Sequence, residues 1–222
     1  MGLKAGSGSS SNSSDMPIQG HLEPGGYPAR IVRIIDLGVQ KRRPFKGEEK
    51  KPAPHILMTY ELLDEFCIDE DGEEIKDKPR WITERFPVFS LSQDNSTSTK
   101  RYKAIDPELE FGGDFSKLLG KPVLLTLVTN AGSGKHVGKT FNNVGGVSLM
   151  RKKDEESAPQ LVNPTVLFDL DSPDKDVWAG LEDWLKELID GRVGNEGAAK
   201  EDAPEESTTN ETDEEGEDGK DW

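Results

Sequence analysis

The chain has 222 residues, with 28 Lys plus Arg against 43 Asp plus Glu and a formal net charge of -15. Apolar side chains make up 32% and charged ones 32%, which is too little apolar material for one compact domain of this length and suits a modest core with unburied flanks. No apolar run reaches the roughly 18 residues of a membrane span, and a single cysteine, Cys67, excludes an internal disulfide.

The charge is unevenly placed. Residues 1–16 are neutral, residues 17–153 hold 22 bases and 19 acids, and residues 154–222 hold 5 bases and 23 acids. The acidity is therefore mostly a C-terminal property. With three histidines, His21, His55 and His136, and one cysteine, no zinc-like spacing exists.

In chain order, residues 1–20 read as a Gly/Ser-rich arm, and Met1 to Asp15 lacks the apolar stretch of a signal peptide. The folded domain is expected over residues 21–153. Pro24-Gly25-Gly26 is a turn signal, and Tyr27 to Leu37, rich in Ile and Val, is strand one. A basic loop follows, with Lys41, Arg42, Arg43, Lys46, Lys50 and Lys51 among three prolines. His55 to Leu63 is strand two, with Ile56, Met58, Tyr60 and Leu62 on one face by the period of two. Asp69-Glu70-Asp71-Gly72 marks a turn, and Arg80 to Leu91 is strand three.

Ser92 to Thr99 is polar and expected to be irregular, and Phe111 to Leu119 is expected to hold a short helix. Pro122 to Thr129 is a buried strand. A Gly/Lys loop, Gly132 to Lys139, leads to a last strand within Phe141 to Met150. Five short strands with one helix between the third and fourth fit a mainly β, strongly curved, five-stranded barrel better than a doubly wound sheet.

Residues 154–192 form an extension. Val166 to Leu170 suits a short extra strand. Ser172-Pro173 then opens an amphipathic helix with Trp178, Leu181, Trp184, Leu185, Leu188 and Ile189 on one face, ending at Gly191. Such a stripe must pack on the barrel or on a partner, and its need for cover points to a homodimer. Residues 193–222, with 2 bases and 12 acids, read as a disordered acidic interaction tail ending in Asp218-Gly219-Lys220-Asp221-Trp222.

Residues 64–77 hold 8 acids and 1 base, so the rest of 17–153 has 21 bases against 11 acids. The bases cluster at Lys41 to Lys51, at Lys100-Arg101-Lys103 and at Lys135-His136-Lys139. Converging loops of that kind would supply phosphate contacts for a single strand, and flat side chains would supply stacking. Trp81, Thr83, Arg85 and Phe89 share one face of strand three, and Tyr102 sits within a basic cluster. Each also has a plainer reading, with the lysines as solvated surface and Trp81 as core. Gly132 to Lys139 lacks the full phosphate-loop pattern, Asp69, Asp71 and Glu73 lack calcium-loop spacing, and no nucleophile–base arrangement can be named. A non-enzymatic protein without a cofactor is expected. In the tail, Trp222 suits an apolar pocket on a basic partner, with Asp218 and Asp221 pairing with Lys or Arg.

Residues 20–151 resemble bacteriophage single-stranded DNA-binding proteins built on an oligonucleotide/oligosaccharide-binding (OB-fold) barrel. The resemblance rests on the segment Leu22 to Val32, on the Leu118-Leu119-Gly120-Lys121-Pro122-Val123 step into a strand, and on Phe141 to Val147. The acidic tail with a terminal aromatic residue is similar in kind, with Trp222 where phenylalanine is more usual. The resemblance implies sequence-tolerant coating of single-stranded DNA during phage replication, recombination or repair. It also implies recruitment of replication or recombination proteins through the tail, in the host cell cytoplasm and with no membrane. The competing expectations are a phage structural or head-decoration protein, and an acidic interaction adaptor or DNA mimic.

Overall fold

The computed structural model describes residues 21–132 and 137–194. The expected N-terminal arm, Lys135 and the tail residues Asp218, Asp221 and Trp222 lie outside them. The described chain forms β1 (Gly25–Gln40), β2 (Ala53–Ile68), β3 (Glu74–Pro87), α1 (Thr97–Ile105), a 3-10 turn at Phe115–Leu118, β4 (Pro122–Ala131) and β5 (Thr140–Leu149). It continues through α2 (Lys152–Ser157), β6 (Val166–Phe168), α3 (Lys175–Gly180) and α4 (Asp183–Asp190).

The hydrogen-bonded strand order is β3-β2-β1-β4-β5, with β6 paired to β1 in parallel. This is an open six-stranded sheet and corrects the expected closed, five-stranded barrel. No ladder joins the two ends of the path, β3 and β5, among the described residues. Instead, Arg101 of α1 pairs with Glu84 of β3 at 3.0 Å and donates to the Val144 carbonyl of β5 at 2.9 Å, so the two ends are bridged there by a side chain and not by a backbone ladder.

β1 organises the sheet by changing partners along its length. Gly25 to Arg30 pair with β4, while Arg33 to Ile35 pair with β6. A register shift against β2 between Ile31 and Arg33 makes the change possible. The extra residue resets the alternation, so Ile31 and Ile34 both face one core while Ile35 and Leu37 face another.

The larger core contains Ile56, Met58, Tyr60 and Leu62 of β2, as the period of two predicts, with Ile82, Phe86, Tyr102, Phe115 and Leu125. The smaller core lies on the opposite face of β1 and β2, where Leu57 meets Phe168, Leu181, Leu185 and Ile189. Each fully buried aliphatic side chain contributes about 1.5–3 kcal/mol of transfer free energy.

Three helix expectations are corrected. Of the polar stretch expected to be irregular, Ser92 to Ser96 is so, while Thr97 to Thr99 open α1, which Ser96 caps by accepting from the Thr99 N–H at 3.2 Å. The helix expected within Phe111 to Leu119 is only the 3-10 turn. The single helix expected over Pro173 to Ile189 is two helices, because Leu181 and Glu182 are extended (ψ 148° and 146°). Leu181, Leu185 and Ile189 are buried and Trp178 packs on Phe168 at 5.5 Å, whereas Trp184 is 50% exposed. The fold itself thus covers most of the stripe that pointed to a homodimer.

Candidate nucleic-acid interface

The C-terminal extension lies over the outer face of β1 and β2 and is pinned there by buried polar groups. Arg33, 8% exposed, forks onto Glu182, with Nη1 donating at 2.8 Å. The Arg33 guanidinium holds the Glu182 carboxyl below the ordinary glutamate range, outweighing burial. Arg30 Nε donates to the Pro159 carbonyl at 2.8 Å. Glu61, 1% exposed, accepts from the Val162 N–H at 2.6 Å and from Asn163 Nδ2 at 2.7 Å. The outer face of β3 lies beside that of β2.

That face presents Trp81, Thr83 and Arg85 at alternate positions, opposite Glu61, Thr59 and Leu57 of β2. Trp81 is half-buried and its indole N–H donates to Glu61 Oε2 at 3.1 Å, so one carboxylate orients the ring and ties down the 162–163 segment. The Thr59 and Thr83 hydroxyls are 3.0 Å apart. Arg85 is half-buried. Same-face residues on a strand lie roughly 7 Å apart, about the span of one extended nucleotide.

Past Pro87 the chain is held against the start of β2, with the Val88 N–H donating to the Pro54 carbonyl at 2.7 Å. Phe89 follows, its N–H donating to Ser98 Oγ at 3.1 Å. The Arg42 guanidinium lies 5.1 Å from the centre of the Phe89 ring. The structure thus joins the end of β3 to the basic β1–β2 loop. In that loop Lys41, Arg43, Lys46 and Lys51 are exposed, and Arg42 and Lys50 are half-buried.

Other predicted residues sit elsewhere. Lys100 is exposed on α1, and Lys103 pairs with Asp94 at 2.5 Å. Lys139 is exposed before β5, its carbonyl accepting from the Gly132 N–H at 2.8 Å. Arg101 and Tyr102 are corrections. Arg101 is 9% exposed, and although burial works against its charge, Glu84 beside it holds its pKa above the ordinary value. Tyr102 is fully buried, with its hydroxyl accepting from the Gly113 N–H at 2.9 Å and its ring edge-on to Phe115 at 5.1 Å. It is a core residue and has no free face for a base.

Sequence reasoning missed Phe45, Glu61 and Glu84. Nothing in the local sequence distinguishes Glu61 from a surface carboxylate; only its register opposite Trp81 could have marked it. Among the described residues no group of three or more His, Cys, Asp or Glu could hold a metal ion, and no helix is long and apolar enough to cross a membrane.

No family model, curated protein or solved structure matches the chain. Together with the open sheet, this overturns the resemblance to phage single-stranded DNA-binding proteins of the OB-fold kind. What the findings support is a mixed β/α domain with an open sheet.

Proposed function

We propose that the protein binds single-stranded DNA, with little sequence preference, along the outer face of β3 and the β1–β2 loop. The observation that carries this reading is the Arg42–Phe89 pair, which links a cation-rich loop to a strand face displaying Trp81 and Arg85. Rings on such a face stack on bases of any identity, and the loop cations neutralise phosphates. Arg42, Arg43, Lys46, Lys50 and Lys51 are the phosphate contacts in this reading, with Lys41 beside them. Trp81 and Phe89 are the stacking residues. The acidic residues 193–222 serve to recruit basic partner proteins of replication, recombination or repair.

A fluorescence titration with single- and double-stranded oligonucleotides across salt concentrations tests the proposal. Single strands are expected to bind more tightly than duplex, with affinity falling steeply as salt rises. No single-strand binding at about 50 mM salt, where phosphate contacts are strongest, rejects it.

A further inference from the structure

The tip of the β1–β2 loop is a small hairpin of its own. The Phe45 N–H donates to the Glu48 carbonyl, and the Glu48 N–H returns to the Phe45 carbonyl, both at 2.9 Å. The two residues between them, Lys46 and Gly47, both have positive φ, 50° and 83°. That is the two-residue turn that matches strand twist, and Gly47 enters it without a Cβ penalty.

The hairpin holds a half-exposed aromatic ring among cations. Lys46 Nζ is 5.4 Å and Lys50 Nζ 5.0 Å from the centre of the Phe45 ring. Phe45 belongs to neither hydrophobic core. The ring is therefore fixed by backbone geometry and ammonium contacts, outside the apolar packing that would otherwise account for a phenylalanine in so polar a loop.

We propose that Phe45 is a further base-stacking platform, and that Lys46 and Lys50 hold the phosphates flanking the base it receives. This rests on the single-strand reading above and extends its path from Trp81 and Phe89 to the loop tip. A base laid on the ring exchanges an ammonium contact for stacking, and the displaced lysine is already placed for the adjoining phosphate.

The test is ultraviolet crosslinking of the full-length protein to oligothymidylate, with peptide mapping, alongside affinities of Phe45→Leu and Phe45→Trp. A crosslink within residues 43–50 is expected. Phe45→Leu should weaken binding about fivefold or more with an unchanged salt slope, while Phe45→Trp restores it. Crosslinks confined to Trp81 and Phe89, with wild-type affinity in Phe45→Leu, would overturn the inference and leave the single-strand reading standing. Absence of any binding by the wild-type protein overturns both. Phe45-dependent retention on phosphatidylserine vesicles, with unchanged oligothymidylate affinity, overturns the inference in favour of a lipid surface.

Discussion

Arg101 Nη2 donates to the backbone carbonyl of Val144 at 2.9 Å, while Nε and Nη2 of the same guanidinium bind both oxygens of Glu84 at 3.0–3.2 Å. One side chain of α1 thus reaches both ends of the open sheet. Tyr60 completes the network, its hydroxyl donating to Glu84 Oε1 at 2.6 Å. Burial and the Glu84 charge together hold the Tyr60 phenol well above its ordinary pKa, so the hydroxyl stays a donor.

Arg101→Met should therefore act on stability. Removing the cation leaves a buried carboxylate unpaired, at a cost of about 3–5 kcal/mol, read as a lower urea midpoint. The Arg101→Met/Glu84→Met double variant should cost less, because no buried charge remains. A stable Arg101→Met protein that has lost only DNA affinity would return Arg101 to the binding surface.

What was legible in the sequence was local. The alternation of Ile56, Met58, Tyr60 and Leu62 is set by the strand pleat and survives in the structure. Whether the sheet closes is not local, because it depends on how β3 and β5 meet. The helix whose side chain bridges them, α1, begins at a polar Ser/Thr run whose helical sign is the Ser96 cap. The stripe from Trp178 to Ile189 has helical spacing, yet the extended Leu181 and Glu182 divide it. Among the described residues, the basic β1–β2 loop meets Phe89, an aromatic ring just past the end of β3, and such partner choice across the sheet cannot be read from spacing.

Glu61 shares one carboxylate between Trp81 and the 162–163 segment. Glu61→Ala leaves several donors without their acceptor and should cost about 3 kcal/mol. Asn163→Ala removes one donor and should cost about 1 kcal/mol. Glu61→Gln keeps the side-chain size but loses the charge, and should shift the Trp81 indole N–H resonance in the DNA-free protein. An unmoved resonance would show that Glu61 does not orient the ring.

The Arg33–Glu182 pair gives the extension a pH response. The folded pKa of Glu182 is lowered, so its stabilisation is complete above the unfolded-chain value and is lost as pH falls past that value and through the lower folded one. The Glu182 side chain is 47% exposed, and solvent screening limits the effect to about 1 kcal/mol or less. Limited proteolysis after residue 157 should accelerate in mild acid. Glu182→Gln should show the faster cleavage already at neutral pH, with a flatter profile.

The chain leaves the described structure beside the proposed DNA surface. Arg192 packs on Gly38, where an added Cβ would come within 2.5 Å of its Cδ, and the Val193 N–H donates to the Val39 carbonyl at 2.7 Å. Val39 is two residues from Lys41, so Val193 lies at the base of the cationic loop, and residues 195–222, with 12 acids and 2 bases, follow it in sequence. If the protein binds single strands as proposed, an acidic segment tethered there would compete with phosphates at a high effective concentration. Deleting residues 195–222 should tighten single-strand binding several-fold at low salt, with the gain shrinking as the Debye length falls to about 8 Å at physiological salt. Adding Lys41→Gln/Arg43→Gln to the deletion should remove most of that gain. Equal affinities for the full-length and shortened proteins at low salt would exclude competition by the acidic segment and leave it to partner recruitment alone.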